Sequence, residues 1–329
     1  MATETAVRIQ EALTEAATAA GLAPSIHNTQ PWHWRVRTGV LELWSAPARR
    51  LPATDPEGRM AAISCGAALH HARVALAALG FEVVVRRLPD PAQPELLAQL
   101  TVAGHQPVTA PAMRYYQAIA LRRTDRRPVT GVPVEPDTLA QIADAARAEG
   151  TDLHVLRRDQ VLELAAAASQ AEQAEATDEV FRAELAYWAG GSRPSGAGVP
   201  DANIPSEPPA TTVPGRDFGH PGSLEVSAEH DRAASYAILY AGTDDLAAWL
   251  RAGEALSAGW LVATELGVSV LPLSAVIEVT ATRERLARML VSGCHPQLVL
   301  RLGTADPEHR GPAPTPRLPG AQTIETLDG

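Results

Sequence analysis

"GLAPSIHNTQPWHWRV", residues 21–36, crowds Ser25, His27, Asn28, Thr29 and Gln30 between Pro24 and Pro31, then adds Trp32 and Trp34. Each proline fixes its own φ and pushes the residue before it out of the helical region. The stretch therefore reads as a loop held at both ends. Within it the Ser25 hydroxyl and the Asn28 and Gln30 amides can present donors and acceptors in one direction. Uncharged groups of this kind suit an imide or a pyrimidine edge. A turn whose side chains satisfy only its own backbone is the competing reading of the same residues.

The flanks of this loop have clear periods. Residues 4–20 are an Ala-rich helix stopped by Gly21. Residues 32–36 and 40–44 alternate as short strands around Thr38-Gly39. Residues 60–80, "MAAISCGAALHHARVALAALG", are nearly uncharged, so this helix is apolar on almost every face and is expected to be buried. "FEVVVRRL" and "PELLAQLTVAG" follow as strands. Further on, helices are predicted near 112–121 and 135–149, and one broken or two consecutive helices over 160–189. Another runs from Asp244-Asp245 to about Leu266, and a last one covers 282–291. "DLHVLR", "SYAILYAG" and "VSVLPLS" read as extended, "PQLVLRLG" as the last clear strand, and the Pro-rich tail after 305 as irregular. Residues 190–222 hold fourteen Gly and Pro residues and no hydrophobic period. A loop of that length is a lid, a binding loop or a disordered segment rather than a connector.

Part of the pattern occurs twice. "GAALHHARVALAALGFEVVV" from Gly66 lines up with "GEALSAGWLVATELGVSVLP" from Gly253, and "PELLAQL" from Pro94 with "PQLVLRL" from Pro296. Each copy is a buried helix, a terminal glycine and then strands. The expectation is an α+β fold of two like halves, 1–108 and 109–329, packed as an intramolecular pseudo-dimer, with 190–222 as a lid in the second.

Composition narrows the chemistry. The 329 residues carry a formal net charge of -10, which argues against a nucleic-acid partner. No apolar run is long enough for a membrane span, and the N-terminus has no secretory pattern, so a cytoplasmic protein is expected. Cys65 and Cys294 are too few for a disulfide framework or a zinc site. His70 and His71 are adjacent on a helix and face different ways, which disfavours a metal there. The chain has no lysine, so an anion must be held by arginine, histidine or backbone N–H groups. No P-loop, dinucleotide fingerprint or G-x-S-x-G elbow occurs. In "RRTDRRPV", Arg122, Thr124 and Arg126 alternate, so in an extended segment they share a face while Asp125 points away. That face suits a phosphate. A solvated basic patch is the alternative reading.

"APSIHNTQPW" resembles the P-S-x-x-N-x-Q-P-W segment of the FMN-dependent nitroreductases, and "RRTDRR" resembles their R-R-S-x-R phosphate segment. The order of the two, with the repeat and the Gly/Pro insertion, is similar to the Acg-like branch. In that branch two nitroreductase units are fused and a lid covers the flavin. The resemblance implies an FMN clasped between the halves. Pro24, Ser25, Ile26, Asn28 and Gln30 would lie against the ring and ribityl chain. Arg122, Arg123 and Thr124 would hold the phosphate, with Arg126 nearer the ring. "LPLSAV" resembles the loop facing flavin N5 and nominates Leu273 and Ser274, while "TPRLP" nominates Arg317 for the phosphate. One FMN per chain is implied, because neither segment occurs twice. The implied activity moves a hydride through the flavin, with NADH or NADPH as reductant and a nitroaromatic or quinone-like acceptor. The chain would act as a monomer or homodimer. A flavin-storage protein with little turnover is the alternative, and a flavin-free α+β ligand-binding domain is a third reading.

Overall fold

The first hundred residues build an antiparallel sheet against one buried helix. In this computed structural model, residues 2–129, 131–190, 196–304 and 311–327 are described. Helix α1 (Ala2–Ala20) ends at Gly21, and the loop of residues 22–31 leads into the hairpin β1 (Trp32–Arg37) and β2 (Val40–Ser45). Helix α2 (Arg59–Ala78) follows, then β3 (Phe81–Arg87) and β4 (Leu96–His105). Trp32 and Trp34 stand two apart in β1, so both face the same way; both are fully buried, beside Leu13 of α1 and Leu69 of α2.

After the linking helix α3 (Ala110–Leu121), the same plan returns with additions. Helix α4 (Pro136–Ala148) and β5 (Asp152–Val155) are followed by two consecutive helices, α5 (Arg158–Thr177) and α6 (Glu179–Trp188). The Gly/Pro segment then leads to β6 (Ser235–Ala241), α7 (Leu246–Glu265), β7 (Val268–Leu273), α8 (Ala275–Glu278), α9 (Thr280–Ala287) and β8 (His295–Thr304). The Asp245 side chain caps α7 by accepting from Ala248 N–H. The sheet of the first part has the order β3-β4-β2-β1, and that of the second the order β7-β8-β6-β5. Read element for element, these orders are the same.

Helices α2 and α7 are both 20 residues long and begin 187 positions apart. They cross where Gly66 meets Gly253. A Cβ on Gly66 would lie 2.0 Å from Leu250 O, and a Cβ on Gly253 would lie 2.0 Å from Ile63 O. Each glycine thus meets the carbonyl three residues before the other, as a two-fold crossing requires. The equivalent positions His70 and Ser257 also bond each other, with Nδ1 and Oγ 2.8 Å apart. That pairing accounts for the histidine considered above as a metal ligand. Among the described residues no group of side chains is arranged to hold a metal.

Three expectations are corrected by the structure. First, Val85 pairs with Leu100 and Pro272 with Leu300, so Leu100 corresponds to Leu300 and the textual match of "PELLAQL" with "PQLVLRL" is two residues out of step. A two-residue slip preserves the face of a strand, which is why the apolar pattern concealed it. Second, the helix expected at 282–291 is α9, and it ends at Ala287. Third, the Pro-rich tail is not irregular throughout: β9 (Ile324–Thr326) adds to β1 in parallel, pairing Ile324 with Trp34. The chain's last strand therefore completes the sheet built by its first. No helix among the described residues is long and apolar enough to cross a membrane.

Candidate functional site

The loop of residues 22–31 owes its shape to unusual backbone angles. His27, Asn28 and Gln30 all have positive φ, at 44°, 53° and 51°. Non-glycine residues adopt this region only where the surroundings enforce it, and such strain clusters at functional sites. Here Gln30 N–H donates to Ser25 Oγ (3.0 Å) and Ile26 N–H to Ser64 Oγ of α2 (3.1 Å). Arg49 clamps the far side, its Nε donating to Gln30 O (2.7 Å) and its Nη2 to Trp32 O.

Residues 122–127 lie alongside the free edge of β7, with Thr124 bridging Val270 in parallel. Arg301 of β8 donates to Asp125 O (3.0 Å) and Arg127 O (2.5 Å), fixing the segment in extended form. Arg122, Arg123, Thr124 and Arg126 line one cavity, and Asp125 turns away to pair with Arg127 (2.6 Å). Asp125 turns away as the expected alternation requires, but Arg123 lines the cavity beside Arg122, so the alternation is not strict.

That cavity measures about 1320 Å³. Pro24, Ser25, Ile26 and Asn28 line it from the loop, Leu273 and Ser274 from the end of β7, and Arg317 from the tail. Segments far apart in sequence thus share one cleft. Gln30 is the exception among the residues nominated, because it does not line the cavity. Its Nε2 donates to Gly196 O (2.9 Å), and its Oε1 accepts from Leu318 N–H (2.9 Å). Asn28 Nδ2 also turns to protein, lying within 3.1 Å of the carbonyls of Gly196, Gly198 and Pro316. Both amides therefore staple the loop to the lid and the tail. Gly196 makes this possible: its φ is +79°, and a Cβ there would fall 2.2 Å from Arg317 O.

The electrostatics of one end are lopsided. Arg122 is buried, stacks 4.5 Å from the Trp260 ring centre and donates from Nη2 to Leu22 O (3.3 Å). Its Nε and Nη1 have no partner among the described residues. Burial, then Arg317 and Arg123 nearby, pull its pKa well below the usual guanidinium value. Burial likewise lowers Arg317 and Arg126 to about 10. Arg317 donates to the carbonyls of Leu22 and Ala23, and Arg126 donates to Asn203 O (2.9 Å). Among the described residues, no carboxylate pairs with Arg122, Arg123, Arg126 or Arg317. For Arg122, the buried one of the four, a charge left unpaired is costly, and an anion would relieve that cost.

The other end is roofed by α5, α6 and the Gly/Pro segment, of which residues 191–195 lie outside the described residues. The segment is not featureless: Val199, Ile204 and Phe218 form a small core with Phe181 and Leu185 of α6. Glu184 of α6 reaches the first half of the chain, accepting from Thr54 N–H (2.8 Å) and Thr54 Oγ1 (2.6 Å). Arg216 is clasped between Glu175 of α5 (3.2 Å) and Glu278 of α8 (2.6 Å). Two carboxylates sharing one buried guanidinium leave one of them disfavoured. Burial above all pushes Glu175 up to about 7. The folded chain holds this proton to about pH 7, whereas an ordinary glutamate releases it near 4.5. The contribution of Glu175 to stability therefore falls as pH rises through that window. Thermal unfolding between pH 5 and 8 should show a steeper loss for the parent chain than for Glu175→Gln.

Ser64, Trp260, Asn203, Glu175 and Arg216 line the cavity or brace it, and residue types alone did not single them out; His27, seen in the loop but not nominated, lines it too. The one available signal was Ser64, a polar residue on a helix expected to be buried.

Charged groups stand at the positions related to this cavity by the 187-residue offset. Arg73 and Arg87 stand where Trp260 and Ser274 stand in the second half. Arg73 pairs with Glu149 (2.5 Å) and Glu254 (2.8 Å), and Arg87 pairs with Glu254 (2.6 Å). Glu254 is fully buried at the centre of this network of four charged groups.

No family model matches the chain. Curated relatives do. The chain is 40% identical over 309 residues to "Putative NAD(P)H nitroreductase Rv3131" of Mycobacterium tuberculosis, covering 92% of this chain and 88% of that one. It is 35% identical over 300 residues to "Putative NAD(P)H nitroreductase acg" of the same organism, covering 90% of each. Among solved structures, a nitroreductase with bound FMN from Desulfitobacterium hafniense aligns at TM-score 0.41 and 14% identity, over 65% of this chain and 98% of that one. The FMN- and NADPH-dependent nitroreductase NfnB aligns at TM-score 0.40 and 18% identity, over 64% and 97%. On the strength of the curated relatives, which match almost end to end, this chain belongs to the nitroreductase family and is an oxidoreductase.

Proposed function

We propose that the chain binds one FMN and uses it to pass reducing equivalents from NADH or NADPH to a nitroaromatic or quinone-like acceptor. The observation that carries this reading is a cluster of arginines, led by the buried Arg122, that have no carboxylate partner among the described residues and open on the same cavity as the strained loop. Arg122, Arg123 and Arg317, with Thr124, supply the donors and the positive charge that a phosphate monoester requires. Pro24, Ser25 and Ile26, held rigid by Ser64 and Arg49, form the wall against which a flat ring packs. Leu273 and Ser274 close the opposite side, and Arg126 adds a cation toward the lid. When bound, the flavin supplies the hydride chemistry, and the protein contributes binding, orientation and electrostatics.

The matching strand orders of the two sheets support reading the chain as two nitroreductase-like halves, 1–108 and 109–329, which associate within one molecule. The ion-pair network around Glu254 supports a single flavin rather than two. Purified protein equilibrated with excess FMN and then desalted should show a flavin spectrum at one equivalent per chain. Two equivalents, or none, overturn the reading. Storage of flavin without turnover is favoured by one observation, the stapling of the lid by Asn28, Gln30, Glu184 and Arg216. Anaerobic addition of NADH or NADPH separates the two: bleaching of the bound flavin supports the reductase, and a persistent oxidised spectrum supports storage.

A further inference from the structure

We infer that the lid-side end of the cavity is a subsite for the carboxylate of an aromatic acceptor, gripped by the free edge of the Arg126 guanidinium. This rests on the reading of the arginine end as the flavin phosphate site. A pocket for one drug-sized ligand occupies roughly 300–1,000 Å³. At about 1320 Å³ the cavity has room for a second, smaller molecule beside a nucleotide. Arg126 turns to the lid side of that space: its Nη1 donates to Asn203 O (2.9 Å), and it stacks 5.2 Å from the Phe218 ring centre. Its Nε and Nη2 make no hydrogen bond among the described residues. Unlike Nε and Nη1 of Arg122, they are not sealed off by protein. Nε and Nη2 form the fork that a carboxylate meets with two parallel hydrogen bonds.

The surroundings leave this charge without a counterion. Burial, then Arg216, lowers Arg126 to a pKa of about 10, so the group keeps its proton at neutral pH. Asp125, its neighbour in the chain, pairs with Arg127 (2.6 Å). Glu175 and Glu278 are both taken up by Arg216. Glu172, Glu207 and Asp217 line the cavity on this side with Arg182, and all four are exposed, where water and salt screen them. His27 is the other polar group at this end. Its buried ring lines the cavity and meets Phe218 edge-on at 6.5 Å, and its Nε2 has no partner among the described residues. Burial, then Arg216 and Arg126, pushes its pKa well below the usual histidine value, so the imidazole stays neutral and no second cation forms there. Phe181 and Phe218 supply aromatic walls. An aromatic carboxylate thus finds one recessed, unpaired cation and flat apolar surfaces for its ring.

The test uses FMN-loaded protein in its oxidised form, with no reductant, at pH 6. It is titrated with 4-nitrobenzoate and with 4-nitrobenzamide, which has the same shape and no charge, each followed by perturbation of the flavin absorbance. The carboxylate is expected to bind roughly tenfold or more tightly than the amide. That preference should vanish in Arg126→Gln, return in part in Arg126→Lys and persist in Arg182→Gln. The parent chain and Arg182→Gln decide the matter even if the Arg126 variants fail to fold. Equal or tighter binding of the amide, a preference that survives Arg126→Gln or disappears in Arg182→Gln, or no binding of either probe would each overturn the inference while leaving the flavin reading intact. Release of free flavin by the carboxylate would place it at the arginine end and overturn the inference as well. A chain that retains no FMN at the loading step would instead overturn the flavin reading itself.

Discussion

Arg122→Ala should weaken FMN binding by about 30-fold, and Arg122→Ala with Arg317→Ala by several hundredfold or more. A charge-assisted hydrogen bond to an anion contributes about 2 kcal/mol, and each 1.4 kcal/mol is a factor of ten in affinity. Arg122 should carry this weight because its Nε and Nη1 have no partner among the described residues. It is buried, and among the described residues its side chain makes one long hydrogen bond, to Leu22 O. Relieving that burial in the empty protein should make the variant no less stable than the parent when flavin is absent. The two effects can be read in one experiment: fluorescence titration for affinity, and thermal unfolding with and without FMN. Unchanged affinity would remove the phosphate assignment. Arg122→Lys should recover part of the loss, since charge returns without the planar fork.

Gly66→Ala should lower stability by about 3 kcal/mol or more, although helix propensity alone predicts a gain of about 1 kcal/mol. The sign is decided by the crossing of α2 and α7. The added methyl would sit 2.0 Å from a backbone carbonyl of the opposing helix, an atom that cannot swing aside. The helices must part, and the two large cores, one on each sheet, must loosen together. Gly253→Ala should do the same, since it meets Ile63 O at the same distance. Thermal or denaturant unfolding measures both. A neutral or stabilising result at both positions would show that the close crossing is not what joins the halves.

How much was visible beforehand depended on whether a property is local. The loop of residues 22–31 announced itself, because prolines, short polar side chains and tryptophans in one run have few other uses. The alternation of Arg122, Thr124 and Arg126 announced a shared face, because strand geometry has a period of two. Gln30 was misplaced for a related reason. Residue type showed an amide able to bond two ways, but not that Gly196 and Leu318 would reach it first. Arg216 and Glu175 were passed over because nothing in either neighbourhood marks a partner. They stand forty-one positions apart and meet only after the lid has folded back onto α5. The tail was underrated since a three-residue strand with Pro and Gly before it has no period to detect, yet it closes the first sheet and brings Arg317 into the cavity.

By itself the sequence determined the α+β character, the buried helix pair, the duplicated helix-glycine-strand unit and the two segments that carry the flavin resemblance. Each is written in spacing or residue type over a few turns of chain. Tertiary structure alone decided that those segments meet in one cleft, that its arginines go without carboxylates among the described residues, and that the Gly/Pro segment with α5 and α6 covers the far end. Burial and pairing depend on which distant atoms arrive, and the free energy of a charge is set by that company rather than by its place in the chain.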